Sequence, residues 1–276
     1  MPPSRKGGWA LKLTLHGGTV ACDVIGDGPP LLFLNGLGMP RSGWSRVVAS
    51  LKSPCRAILV DPPGSGESDD PRGPLSIASL ADDASRLLEA LAVGEVFLAG
   101  TSMGGFVALE MARRHRHRTR GMVLFCTPSR LDGWGRFQIE TWLKLRREGA
   151  SPESLIRLQL AATLSSSLFD RLATVEAMVA FFVDHQEELG QSDGAFVAQA
   201  QACLDFDGGP FLGDIDCPAL VVAGGADRMV PPAQAEALHR GLRRSRFLLL
   251  PDGGHALAVT ESAAMAAAID SLLAAS

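Results

Sequence analysis

The chain has 276 residues, 46% of them hydrophobic and 20% charged, so it has the length and composition for one large core and does not have those of a disordered segment. A formal net charge of −4 gives no electrostatic reason to expect nucleic acid or an anionic membrane, which leaves a small molecule as the expected partner. The five cysteines, Cys22, Cys55, Cys126, Cys203 and Cys217, are scattered without a C-x-x-C pair, which excludes a disulfide framework or zinc knuckle and suits a reducing compartment.

Arg5 and Lys6 near the start are not followed by an apolar signal region, and the apolar runs are short of a membrane span. The expectation is a cytoplasmic protein with no membrane attachment; nothing bears on its oligomeric state. Residues 9–15 alternate in the manner of a half-buried strand, and 20–25 form its hairpin partner across a turn near Gly17-Gly18. Residues 31–34 and 57–60 read as strands buried on both faces, with a helix over 41–51 between them. A helix over 76–91 puts Leu80, Leu87, Leu88 and Leu91 on one face, and Asp82-Asp83 stand near its start, where carboxylates favour the helix dipole. A strand at 96–99, a helix at 106–114 and a strand at 122–125 follow.

The alternation then lapses. From about 129 to 211 the pattern is helical, over 139–147, 152–164, 174–188 and 195–204. It resumes with a strand at 220–223, a helix at 232–242, a strand at 247–250 and an alanine-rich final helix. This order predicts an α/β fold with a mostly parallel central sheet, helices on both faces, and an inserted helical segment. The core spans 1–128 and 212–276, and the insertion spans 129–211.

Gly100-Thr101-Ser102-Met103-Gly104 is a G-x-S-x-G pentapeptide. Alone it is close to a chance event, but a buried-strand run leads into it and a helix follows, the setting a nucleophile elbow needs. The glycines permit a sharp turn, and the serine then stands at a helix N-terminus that favours developing negative charge. A serine hydroxyl is a poor nucleophile without a base and an orienting acid. His255 lies just past the last strand in Pro251-Asp252-Gly253-Gly254-His255, and Asp227 follows the 220–223 strand and a Gly224-Gly225 turn. The order Ser102, Asp227, His255 excludes the chymotrypsin and subtilisin orders. Asp205, Asp207, Asp214, Asp216 and Asp252 compete with Asp227 by proximity, although Asp252 stands too close to His255 to be its usual partner.

With these residues the chain resembles the α/β-hydrolase superfamily over nearly its whole length outside the insertion. Asn35-Gly36-Leu37-Gly38 is similar to the family's oxyanion loop, and Asp61-Pro62-Pro63-Gly64-Ser65-Gly66-Glu67-Ser68 to its D-x-x-G-x-G-x-S turn. The resemblance implies an oxyanion hole of the Leu37 and Met103 backbone N–H groups, such donors being worth about 3 kcal/mol each. Asn35 stands where many members have histidine, as in enol-lactonase-like and polyester-depolymerase-like relatives. The family's other acid position falls near Cys126 and Thr127, which carry no carboxylate, and this favours Asp227. The resemblance also implies that the insertion is a cap over the site. Nine of the sixteen aromatics lie in it, and Trp134, Phe137 and Trp142, with Asn35, are taken to line a substrate pocket.

The expected activity is cleavage of a carboxylic ester or lactone of a small, largely apolar substrate through an acyl-enzyme on Ser102, with no metal or organic cofactor needed. C–C bond hydrolysis, thioester hydrolysis and cofactor-free perhydrolysis use the same triad and stay open, as do a ligand receptor that keeps the triad and an idle interaction protein. The basic run from Arg113 to Arg120 reads as a solvated helix end, and His115 and His117 have no second cluster with which to hold a metal.

Overall fold

The computed structural model describes residues 8–15, 18–185 and 191–275. Strands β1 (Gly8–Leu15) and β2 (Gly18–Ile25) pair antiparallel, with Leu15 opposite Gly18. The turn expected between them, at His16 and Gly17, lies outside the described residues. After β3 (Pro30–Leu34) a 3₁₀ turn (Arg41–Trp44) runs into α1 (Ser45–Ser50), so the helix expected over 41–51 opens on a tighter turn. Next come β4 (Arg56–Val60), α2 (Ile77–Ala90), β5 (Val96–Thr101), α3 (Met103–Arg114) and β6 (Thr119–Phe125). The described strands form one eight-stranded sheet in the order β1-β2-β4-β3-β5-β6-β7-β8, closed by β7 (Ala219–Gly224) and β8 (Ser245–Leu250). From β4 to β8 every pairing is parallel, and β2 joins β4 antiparallel.

The strands are apolar on both faces because both are covered. Leu32, Leu34, Leu98, Leu124 and Val221 point to the side packed by α2, α3 and α8 (Pro232–Gly241). Leu31, Phe33, Phe97, Val123, Phe125 and Val222 point to the side packed by α1 and α10 (Ser262–Ala274), with the short α9 (Leu257–Thr260) beside it. Each such side chain contributes about 1.5–3 kcal/mol on burial.

Asp82-Asp83 do not serve the dipole of α2. That end is closed instead by a reciprocal cap in which Ser76 Oγ accepts from the Ser79 N–H and Ser79 Oγ from the Ser76 N–H. The carboxylates sit in the second turn, where Asp82 takes Arg114 and His115 from the end of α3, and Arg114 holds its carboxyl below the usual range. The basic run is likewise spent on acids of the core: Arg113 on Glu110, Arg116 on Asp216 and Arg118 on Glu89.

Between β6 and β7 the chain is helical: α4 (Gly133–Arg147), α5 (Pro152–Thr163), a 3₁₀ segment (Ser166–Arg171), α6 (Leu172–Asp184) and α7 (Asp193–Asp205). Ile139, Trp142 and Leu143 of α4 and Phe196, Ala200 and Cys203 of α7 join the larger hydrophobic cluster of the core. α5 and α6 build a small cluster of their own around Leu160, Leu164, Val175 and Val179.

Candidate active site

β5 carries the chain to the C-terminal edge of the sheet and α3 starts one residue later, so Ser102 occupies the corner. Its φ of 51° and ψ of −116° lie where an L-residue is strained, at a cost of about 1–3 kcal/mol. The corner is enforced from three sides. The Ser102 N–H donates to the Phe125 carbonyl at 2.9 Å, and the Ser102 carbonyl accepts from the Gly105 N–H at 2.9 Å. A Cβ on Gly104 would lie 2.0 Å from the Leu34 carbonyl oxygen, and one on Gly100 would lie 2.5 Å from that of Gly104. The pentapeptide's glycines are therefore demanded by backbone crowding at the elbow.

His255, in the loop after β8, lies between the other two members. Its Nε2 is 3.1 Å from Ser102 Oγ and its Nδ1 is 2.8 Å from Asp227 Oδ2. The Asp227 side chain is 0% exposed, and its Oδ1 accepts from the Met229 and Val230 N–H groups at 2.8 and 2.9 Å. One carboxylate oxygen thus fixes the loop while the other faces the imidazole. Competing acids are engaged elsewhere, Asp205 with Gln201, Asp207 with Arg130 and Asp216 with Arg116.

Cys126, which follows β6, completes the surroundings of the acid. It is buried with φ 47°, and its Sγ lies 3.7 Å from the Gly254 carbonyl oxygen. Burial first, and then the Asp227 charge, push its thiol well above the ordinary range, so it stays protonated. Cys126, Asp227 and His255 are the described residues whose donor atoms come close enough to chelate an ion, within 4.8 Å of one another. Asp227 already spends both oxygens on His255 and the Met229–Val230 amides, so the set orients the imidazole.

The loop after β3 passes over Ser102, a Cβ on Gly36 falling 3.6 Å from the Ser102 Cβ. Leu37 and Met103 line the same cavity as Ser102, and among the described residues neither N–H donates to another group. Two unspent donors beside the hydroxyl are what an oxyanion hole requires. The turn after β4 is structural: Asp61 accepts from the Glu67 N–H at 2.9 Å and from the guanidinium of Arg41, which also reaches Asp23 and Glu67.

The cavity has a volume of about 1440 Å³. Trp142 lines it, together with Ile139, Leu155, Leu160, Met178 and Phe182, so its wall is largely apolar. Trp134 and Phe137 are 52% and 61% exposed, stack on each other and do not line the cavity, with Trp134 Nε1 donating to the carbonyl of Arg228, the residue after Asp227. Both lie in the first turns of α4. Asn35 does not line this cavity: it is buried, its Nδ2 donating to the Met39 carbonyl at 2.7 Å and its Oδ1 accepting from Trp44 Nε1 at 3.1 Å. It borders a separate void of about 50 Å³ under the elbow. The α5 and α6 wall residues were not singled out by sequence; their ordinary Leu and Met spacing carries no mark of which side meets a ligand. Among the described residues no helix is long and apolar enough to cross a membrane.

Residues 29–262 match the family model described as alpha/beta hydrolase fold. A relative from Azorhizobium caulinodans, provisionally named carbamate hydrolase RutD, is 29% identical, the match covering 87% of this chain and 90% of that protein. 3-oxoadipate enol-lactonase 2 of Acinetobacter baylyi is 26% identical over 90% of this chain and 89% of its own. A solved thermophilic esterase from Thermogutta terrifontis superposes with a TM-score of 0.82 at 27% identity, covering 96% of this chain and 98% of that one. The chain belongs to the alpha/beta hydrolase fold family and is an enzyme of that class.

Proposed function

We propose that the protein is a serine hydrolase that cleaves a carboxylic ester or lactone of a largely apolar substrate through an acyl-enzyme on Ser102. The observation that carries this reading is the unbroken relay of hydroxyl, imidazole and buried carboxylate, at 3.1 and 2.8 Å, opening into an apolar-walled cavity. The ester and lactone names borne by the relatives support it from a second side.

As Ser102 Oγ attacks the carbonyl carbon, His255 Nε2 takes the hydroxyl proton. Asp227 keeps the Nδ1 proton in place and stabilises the imidazolium. The carbonyl oxygen becomes an oxyanion held by the Leu37 and Met103 N–H groups. His255 then gives its proton to the leaving alkoxide, and water deacylates the serine by the same route in reverse. Residues 129–211 act as a cap over a core made of 1–128 and 212–276, and a cavity of about 1440 Å³ suits acyl groups longer than acetyl.

The test is a panel of nitrophenyl esters of rising chain length, lactones and thioesters, run on the wild type and on Ser102→Ala, with fluorophosphonate labelling of the folded protein. Turnover of esters or lactones that Ser102→Ala lowers by about 10⁴-fold or more, with labelling at Ser102, is expected. Turnover that survives the substitution, or folded protein that takes no label, sinks the reading.

A further inference from the structure

The insertion reaches the loop after β3 through Gln199, on α7. This side chain is 0% exposed, and a buried amide is costly unless both of its ends are satisfied. Here both ends are spent on loops of the core. Oε1 accepts from the Gly38 N–H at 3.2 Å, while Nε2 donates to the Pro63 carbonyl at 2.9 Å and to Ser65 Oγ at 3.2 Å. A second glutamine of the same segment, Gln191, also donates to Ser65 Oγ, at 3.1 Å.

What Gln199 holds is a turn. The Met39 N–H donates to the Gly36 carbonyl at 3.1 Å, and Gly38 has a φ of +72°, the value the third residue of a type II turn adopts. Leu37 is the other corner residue of that turn. Asn35 fastens the turn's far end from the core side, through the Met39 carbonyl. The corner itself is caught from the insertion side, at the Gly38 N–H, with the Phe196 ring 3.8 Å from where a Gly38 Cβ would stand.

We propose that Gln199 is a positioning residue: by fixing the corner of the 36–39 turn it aims the Leu37 N–H at the oxyanion. This rests on the serine-hydrolase reading above. The side chain touches neither substrate nor reacting atoms; it acts through Gly38. An oxyanion hole works on the transition state alone, so losing its aim lowers kcat and spares KM.

The experiment compares Gln199→Met, close in size and unable to make these hydrogen bonds, with Ala202→Gly, which loosens the same helix at a buried residue whose side chain makes no hydrogen bond. Gln199→Met should lose about ten- to hundredfold in kcat with KM within about twofold, and a boronic acid transition-state analogue should lose affinity by the same factor. Ala202→Gly should lower Tm and leave kcat unchanged. A folded Gln199→Met enzyme with wild-type kcat overturns the proposal, and so does a loss that Ala202→Gly reproduces at equal Tm. If Gln199→Met does not fold, Gln199→Asn carries the test. It keeps a buried amide but is one methylene short of the Gly38 N–H, and the same kcat-selective loss is expected; wild-type kcat there overturns the proposal. Ser102→Ala separates the two levels. Activity indifferent to Ser102 removes the hydrolase reading and this proposal together, whereas Ser102-dependent activity indifferent to Gln199 removes this proposal alone.

Discussion

The strand ends of the sheet and the helical insertion above them are held by different kinds of contact. At the strand ends the backbone does the work: Ser102 is pinned to Phe125, Gly225 to Leu250 and Ala226 to the Gly253 carbonyl, with no room even for a Cβ at Gly104. In the insertion side chains do it, and they divide it in two. α4 and α7 are continuous with the main core, whereas α5 and α6 keep a small cluster under a surface that leaves Phe181 49% exposed. The Ser102–His255–Asp227 relay sits on the part pinned by its backbone, and the α5–α6 portion of the cavity wall on the part held only by side chains.

If that division holds, the largest effect belongs to the strand-end loops. Asp227→Asn should lower kcat by about 10³–10⁴-fold with little change in KM, because the amide can present an NH₂ to His255 Nδ1 and favour the wrong tautomer. Steady-state kinetics on the best ester of the panel check it, and a loss under tenfold would put the orienting acid elsewhere. Next comes the inner half of the insertion. Trp142 packs with the main core, so Trp142→Ala should destabilise the fold by about 3–5 kcal/mol in urea titration. A cost below about 1 kcal/mol would mean that α4 is as loosely held as α5 and α6, and the division would fail.

A smaller effect is expected from the outer wall. Phe182 lines the cavity beside the α5–α6 cluster without being fully buried. Phe182→Ala should lower kcat/KM for long-chain esters about three- to tenfold relative to short ones. Its cost in stability should be smaller than that of Trp142→Ala. A uniform loss across chain lengths would show that the residue supports the fold rather than the acyl group.

The same division explains what the sequence reveals. Ser102, Asp227 and His255 are legible because backbone crowding forces a local signature around each: glycines at the elbow, paired glycines before the acid, and a Gly-Gly-His loop after β8. The sheet is legible because burial on both faces leaves unbroken apolar runs. The insertion has no such marks. Its aromatics suggest a pocket, yet Trp134 and Phe137 of α4 are exposed while Trp142 of the same helix lines the cavity. Gln199 is invisible for a related reason: a glutamine in a helix reads as solvated until the partners of its amide are known, and those lie 161 and 136 residues away in the chain. Cys126 gains its meaning only from the approach of Asp227 and His255.

The smallest effect tests the outer half at its surface. Arg157 on α5 binds Glu153 in its own helix and Glu176 of α6, with both Arg157 and Glu176 46% exposed. Arg157 holds the Glu176 carboxyl below its usual range. A carboxyl depressed on folding gives stability that is present at neutral pH and fades as acid protonates it. At this exposure, solvent and salt screen the pair, and long side chains lose entropy in forming it. Arg157→Ala should therefore leave kcat and Tm at neutral pH unchanged. Any loss of Tm should appear only at low ionic strength and vanish as the pH falls through the carboxylate range. A large, salt-insensitive drop in Tm would mean that the ion pair, rather than the Leu160, Leu164, Val175 and Val179 cluster, holds α5 to α6, and that the outer half depends on its surface instead of its small core.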